Sequence, residues 1–427
     1  MSPAVQDSNP CVLLHGPEKS SISSIAIPNI SDFPPDHVLL AIAYTGVCGS
    51  DVHFYLHGGV GSDPKRYSQY YTSQTFPSTT HQSSTSILPT SHDGLVMGHE
   101  ATATVVATNS SAESLSKGDT VAIEPGTPCR SCVRCSTGMY NLCTGMRFAA
   151  SFYESDILTK NASGDEVKLV LSTPGTLQKY YVLPESLCYK LPGHVDLQAG
   201  VLVEPLAVAV HAVRLAGINP QTKGVLITGA GTIGLVMSAV SCAYGAQRVV
   251  LVDIDDSKLQ FAKQWLTSSS GAATKAGVSV HTVNSSGSAS QSDFAKQIVS
   301  DCGLDDGAHA ALEASGSPAA IKLCIACLRM DGHMVQTGLS KNPNMDAFPI
   351  CDLSEKEIHV HGAFRYKAGD FETARDLLGK GVVGDVKGLI SKVWKFQEYE
   401  TAWKATRDGG GKGVKNLIEC PGVNVTV

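Results

Sequence analysis

A chain of 427 residues is too long for a single core and predicts two domains. A hydrophobic content of 43% and a net charge of −6 describe a soluble globular protein and exclude the basic footprint of a nucleic-acid binder. With neither a basic leader nor a sustained apolar run in its first twenty residues, the chain is expected to be cytoplasmic, its thirteen cysteines serving metal and packing rather than disulfides.

Taken in order, residues 11–47 hold short alternating runs between Pro- and Gly-containing turns, which predicts a β-rich start with one strand at 38–44. Small residues then surround Cys48 in the run Gly-Val-Cys-Gly-Ser-Asp-Val-His. Residues 62–93 change character, with fourteen of thirty-two being Ser or Thr and little aliphatic periodicity. Such a stretch cannot build a core and is expected to be a disordered insertion. Order resumes at 95–106, with His99 and Glu100, and a further strand is expected at 120–123. Four cysteines follow, then an irregular segment at 153–174, a strand at 180–183 and an apolar helix from about 202 to 215 that carries Glu204 and Pro205.

Residues 225–253 read as apolar strand, glycine turn, helix and second apolar strand ending on Asp253. Gly229 permits the tight turn, Gly231 lets backbone approach a pyrophosphate, and Gly234 lets the helix pack on the strand. The helix N-terminus then faces the phosphates, and Asp253 is placed to accept from an adenosine ribose. A membrane span is the competing reading of the uncharged run 224–247, but its crowded glycines and the following β-branched strand oppose it. Helices are predicted at 257–266, 291–300 and 317–328, and strands at 278–283, 308–312, 334–337 and 359–364, with 268–290 otherwise loop. Together they form a doubly wound parallel sheet. Helices at 370–378 and 399–407 lie in the tail.

Two sets of residues carry metal chemistry. Cys129, Cys132, Cys135 and Cys143, spaced C-x2-C-x2-C-x7-C, can wrap one tetrahedral zinc with no position left for substrate, so this site is structural. Cys48, His99, Glu100 and Glu204 offer the sulfur, imidazole and carboxylate ligands of a catalytic zinc, which keeps one position open and makes a bound alcohol far easier to deprotonate.

The motifs Cys-Gly-Ser-Asp-Val-His, Gly-His-Glu, the four cysteines, Glu-Pro-Leu-Ala-Val-Ala-Val-His and Gly-Ala-Phe-Arg-Tyr-Lys-Ala-Gly-Asp together resemble the zinc-containing medium-chain polyol dehydrogenases, over about residues 12–420. The resemblance implies an α/β protein: a Rossmann cofactor domain at 206–365 and a β-rich, GroES-like zinc-binding catalytic domain made of 1–205 and 366–427. It implies one catalytic and one structural zinc, NAD as cofactor, and oxidation of a polyol secondary alcohol to a ketose, with xylitol ahead of sorbitol and L-arabinitol. A homotetramer without membrane or nucleic-acid partners is also implied.

Residue by residue, the resemblance puts Cys48, His99 and Glu100 on the catalytic zinc, with Glu204 as a ligand or holding the zinc water. Ser50 and His53 would relay the alcohol proton. Arg365 and Tyr366 would stand near nicotinamide and substrate, Asp253 and Lys258 at the adenosine ribose, and Gly338 and Leu339 under the nicotinamide. Ile233 and Phe364 complete the cofactor contacts. The sequence departs from the family in separating Cys48 from His99 by fifty-one residues, and in placing Phe54 where many relatives have tyrosine.

Overall fold

The structure is a computed structural model that describes residues 8–59, 94–109, 111–160, 166–287, 291–340, 344–409 and 414–425. The Ser/Thr-rich stretch 62–93 lies outside the described residues.

Alternation of apolar residues builds the first body. β1 (Asn9–Gly16) pairs antiparallel with β2 (Lys19–Ile25) on one side and with β4 (Leu95–Val96) on the other. β3 (His37–Gly46) is the spine, burying Val38, Leu40 and Ile42. It pairs with β5 (Glu100–Thr108), β11 (Tyr180–Pro184) and β20 (Lys415–Glu419). The sheet runs β12-β6-β5-β3-β20-β19, with β6 at Thr120–Ile123, β12 at Cys188–Lys190 and β19 at Ile390–Lys395. Strands from residues 37–46 and 390–419 therefore share one sheet, while β1 and β2 belong to a separate one. α1 (Gly49–His57) leaves β3 directly and stops at Gly58, whose φ of 78° lets its N–H return to the Phe54 carbonyl.

The second body is one parallel sheet of order β15-β14-β13-β16-β17-β18. In sequence these are β13 (Val225–Thr228), β14 (Arg248–Asp253), β15 (Ser279–Asn284), β16 (Ala308–Glu313), β17 (Leu328–Gln336) and β18 (His359–Gly362). Period-two alternation sorts β13 between two cores: Val225 and Ile227 face the cluster with Leu206, Val210 and Leu235, while Leu226 faces Val250, Ile298 and Cys324. Each such aliphatic side chain contributes about 1.5–3 kcal/mol on burial. The sheet is covered by α3 (Val203–Leu215), α4 (Thr232–Ala243), α5 (Asp256–Thr267), α7 (Gln291–Asp301) and α8 (Pro318–Cys327).

The structure corrects several sequence expectations. Residues 153–174 are not irregular: β9 (Ser151–Lys160) and β10 (Glu166–Thr173) form an antiparallel hairpin in register Glu166 to Lys160 and Thr173 to Ser151. Local pairing there succeeds despite charged residues that blur the apolar alternation. Residues 268–290 hold a short helix, α6 (Ala272–Ala276), too brief to show periodicity. β17 starts six residues before Met334: Leu328 pairs with Ala308 and His333 with Ala310, and Arg329, Asp331 and Gly332 fall in the register shift between them, where no alternation marks a strand. β18 ends at Gly362, so Phe364 and Arg365 lie in the loop beyond it.

α10 (Asp370–Gly379) packs on α3 through a buried carboxylate. Asp370 accepts from Arg214 Nη1 at 2.5 Å, from the Lys367 amide at 2.9 Å, and contacts His211 Nδ1 at 2.8 Å. Burial favours the neutral acid, but these partners outweigh it and hold the Asp370 pKa below the ordinary carboxylate range. A carboxylate with a depressed folded-state pKa stabilises fully above its unfolded value of about 4, and that contribution is lost as pH falls through the folded value. Asp370→Ala is therefore expected to cost about 3 kcal/mol near neutrality, the lower end for breaking a buried pair. It should also flatten the acid limb of a stability-against-pH curve measured by denaturant titration.

Candidate active site and metal centres

The turn from β3 into α1 and the start of β5 bring the first metal set together. One donor atom each from Cys48, His99 and Glu100 lie within 4.8 Å of one another. His99 Nδ1 faces the buried Asp51 carboxylate at 3.3 Å, which orients the ring and leaves Nε2 for the metal. Asp51 Oδ2 also accepts from the Cys48 amide at 2.9 Å, so one carboxylate aligns two of the three donors. Burial opposes a charged His99, but Asp51 and then Cys48 outweigh it and raise the imidazole pKa well above its usual value. Glu100 also binds Lys415: its two oxygens accept from the Nζ at 2.8 and 2.6 Å. A carboxylate has about four lone-pair sites, so it can take this ammonium and a metal together.

Glu204 lies outside that set, in the first turn of α3. Burial and the Glu100 charge push its pKa up to about 7, against the pull of His99, Lys415 and Arg365. Ser50 Oγ is 3.4 Å from His99 Nε2. His53 follows three residues on in α1, which places it on the same helix face, and its ring centroid is 5.7 Å from that of His57.

The four cysteines form the second group with donor atoms within 4.8 Å of one another. Cys132 and Cys135 Sγ are 3.5 Å apart, Cys129 and Cys135 Sγ 3.9 Å, and none of the thirteen cysteines is in a disulfide. Within the cluster the thiols are pulled apart: the Ser131 amide and hydroxyl, with the Cys132 amide, draw Cys129 down to about 6, while burial and the neighbouring thiols push Cys135 up to about 12. Donor type, number and proximity at both sites fit zinc.

The glycine turn fits a dinucleotide. Gly229 takes φ 97°, and a Cβ on Gly234 would overlap the Gly229 carbonyl oxygen, whereas a Cβ on Gly231 would meet nothing within 4 Å. That open space stands before the first turn of α4, where Ile233 is half-buried. Asp253 accepts from the amides of Ala230 (2.6 Å), Ile254 (2.7 Å) and Asp255 (3.1 Å), so it clamps the glycine turn and keeps one acceptor site. Lys258 lies in the first turn of α5. Ile254, Leu339 and Phe364 are exposed beyond the C-terminal ends of three strands, the edge where parallel sheets bind ligands. Gly338, under Leu339, abuts Gly316 so closely that a Cβ would overlap its amide nitrogen.

Arg365 joins the crevice to the metal set. Its guanidinium carbon lies 3.6 Å from the Phe148 ring centroid and 4.6 Å from that of Phe364, while Phe148 is 5.7 Å from the His99 ring. Arg365 has φ 55°, a left-handed conformation that costs a non-glycine residue about 1–3 kcal/mol. Tyr366 is buried against Phe371, and its hydroxyl finds no hydrogen-bond partner among the described residues. A buried unpaired hydroxyl costs about 1–3 kcal/mol.

Sequence reading missed Asp51, Lys415 and Glu313. Glu313 is buried at the end of β16 and accepts from the amides of Ser315 and Gly316 and from Gln336 Nε2 at 2.8, 2.9 and 2.7 Å. It thereby shapes the floor of the crevice beside Gly229 and Gly338. Asp51 sits in the quoted Cys-Gly-Ser-Asp motif and could have been found there. Lys415 and Glu313 have no local pattern.

The zinc-donor sets and the parallel sheet define a zinc-dependent medium-chain dehydrogenase. The alcohol dehydrogenase GroES-like domain matches residues 34–193, and the zinc-binding dehydrogenase domain matches 232–380. D-xylulose reductase A of Aspergillus niger is 37% identical over 409 residues, which are 95% of each chain. The probable D-xylulose reductase A of Emericella nidulans is 36% identical over 413 residues, 96% of each chain. L-Idonate 5-dehydrogenase from Escherichia coli superposes with a TM-score of 0.73 at 26% identity, covering 96% of this chain and 98% of its own. The chain belongs to the zinc-containing polyol dehydrogenase family. It is an oxidoreductase whose cofactors are zinc and a nicotinamide dinucleotide.

The two inner glycines should separate in their effects. Gly234→Ala forces backbone apart and should cost about 1–3 kcal/mol of stability. Gly231→Ala should cost less than about 1 kcal/mol, the scale of a helix-cap change, yet weaken dinucleotide binding at least tenfold. Thermal melts and a fluorescence titration with NADH measure both, and equal loss of stability in the two variants would contradict the assignment.

Proposed function

We propose that this enzyme oxidises xylitol to D-xylulose with NAD, and that sorbitol and L-arabinitol are poorer substrates. The observation that carries the reading is the His99–Phe148–Arg365 contact chain, which links the metal donors to the lip of the dinucleotide crevice. The names of the fungal relatives, D-xylulose reductases, supply the choice of polyol. Zinc held by Cys48, His99 and Glu100 would supply Lewis acidity toward a substrate hydroxyl.

The other steps belong to the chain's own residues. Ser50 Oγ takes the proton leaving the reacting hydroxyl, and His53, on the same helix face, carries it towards solvent. Glu204, outside the three-donor set, would hold the zinc water. Arg365 offers a rigid fork of donors to the neighbouring hydroxyls of an uncharged polyol, as a hydrogen-bonding group rather than a counter-ion. Its stack on Phe148 and Phe364 limits the conformations that fork can take. Asp253 favours NAD, because its charge would oppose a 2′-phosphate and Ile254 beside it supplies no cation.

The four-cysteine donor set, a use of cysteine suited to a reducing compartment, supports a cytoplasmic location. No helix among the described residues is long and apolar enough to cross a membrane. Exposed Val360 on the edge strand β18, with Met330 and Ile350 also exposed, supports a homo-oligomer, a tetramer by resemblance.

A steady-state panel of xylitol, sorbitol, ribitol and L-arabinitol with NAD and NADP should give the highest kcat/KM for xylitol with NAD. Equal efficiency with NADP would contradict the role of Asp253. Arg365→Ala should lose about 1–3 kcal/mol of transition-state binding on xylitol while leaving 2-butanol largely unaffected. Equal loss on both alcohols would mean that Arg365 serves the cofactor or the fold.

A further inference from the structure

The four-cysteine lobe touches the segment that carries Arg365. Asn141, in the run between Cys135 and Cys143, is buried. Its Nδ2 donates to the Phe364 carbonyl at 2.8 Å, across 223 residues of sequence. A second bond joins the same two segments, from the Ala368 amide to the Gly138 carbonyl at 3.0 Å. The lobe is itself anchored: Tyr140, next to Asn141, donates its hydroxyl to the buried Glu124 carboxylate at 2.5 Å, and Tyr189 donates to the other Glu124 oxygen at 2.8 Å.

The Phe364 carbonyl has a particular leverage. It shares a rigid peptide plane with the Arg365 amide, so the torsion φ of Arg365 is the angle between that plane and the rest of the residue. Fixing the carbonyl oxygen fixes one side of that torsion. Arg365 needs this hold, because its left-handed φ of 55° is disfavoured for any residue with a Cβ and persists only where its surroundings impose it.

We propose that Asn141 is a positioning residue for Arg365: its amide clamps the Phe364 carbonyl and holds the left-handed backbone from which Arg365 reaches the polyol. The four-cysteine lobe then contributes to substrate recognition as well as to stability. The inference rests on the reading of Arg365 as a polyol donor given above.

Three variants of the zinc-loaded enzyme test it: Asn141→Ala, Asn141→Asp, and Asn141→Ala combined with Arg365→Ala. Asn141→Asp keeps the shape but sets a carboxylate against the Phe364 carbonyl, whereas Asn141→Ala removes the donor without adding a charge, so a clamp predicts the same selective loss in both. Both single variants should keep the zinc content of the parent, and both should lose roughly tenfold in kcat/KM for xylitol, mainly through KM, with 2-butanol little changed. The double variant should be no worse than Arg365→Ala alone, because the two residues act through one contact. Amide hydrogen exchange of a peptide covering 363–368 should quicken in both single variants.

Additive losses, equal losses on the two alcohols, full activity in Asn141→Asp, or unchanged exchange at 363–368 would each overturn the proposal. If Asn141→Ala does not fold, Asn141→Asp and its exchange pattern decide alone. A parent enzyme inert on every polyol would instead remove the substrate reading of Arg365, and the exchange measurement would still show whether the clamp exists.

Discussion

The site depends on one buried contact, the Lys415 ammonium lying against both carboxylate oxygens of Glu100. Cys48, Glu100 and Glu204 gather groups that are anionic or can become so where little water reaches, and unpaired charge there is costly. Burial by itself would drive Lys415 to its neutral form, but Glu100 and then Cys48 outweigh it and raise its pKa. Lys415 also donates to the Val47 carbonyl at 3.2 Å, which ties it to the turn presenting Cys48. Such pairs add little net stability over apolar packing, but breaking one costs about 3–5 kcal/mol.

The same contact depends on β3 lying between β5 and β20 in one sheet. β20 pairs with β3 in register Leu417 to Gly46, which brings residue 415 beside residue 100. Gly46 is equally constrained, because a Cβ there would overlap Glu100 Oε2. Fold and site are thus specified together, in strand register and in one missing side chain. On the other body, Glu313 plays a comparable part: a buried carboxylate at a strand end gathers amides from the loops that frame the dinucleotide crevice.

What could be read in the sequence was whatever is encoded locally. Four cysteines within fifteen residues, three glycines in a turn, and Cys48 with Ser50 and His53 in six residues announce their chemistry by spacing. The strand alternation of β13 and β14 is equally local. Lys415 and Asn141 are silent because each works through a contact made across hundreds of residues, whereas Glu313 gathers amides two and three residues on with no motif to mark it. The β9–β10 hairpin was missed for a different reason: its charged residues obscure alternation, and backbone pairing alone defines it. The apolar run past Gly362 predicts a strand as far as residue 364, whereas the strand ends at Gly362 and Arg365 is left-handed, with its guanidinium stacked on Phe148.

The central claim is that two zinc sites of different function sit on one chain: a catalytic site at Cys48, His99 and Glu100, and a closed structural site at the four cysteines. Zinc per chain, measured by elemental analysis on the parent and on Cys48→Ala alongside activity, tests it most directly. Two zincs are predicted in the parent, and one in a folded, inactive Cys48→Ala that still binds NADH. Full activity with a single zinc in the parent, or two zincs retained in Cys48→Ala, would contradict it.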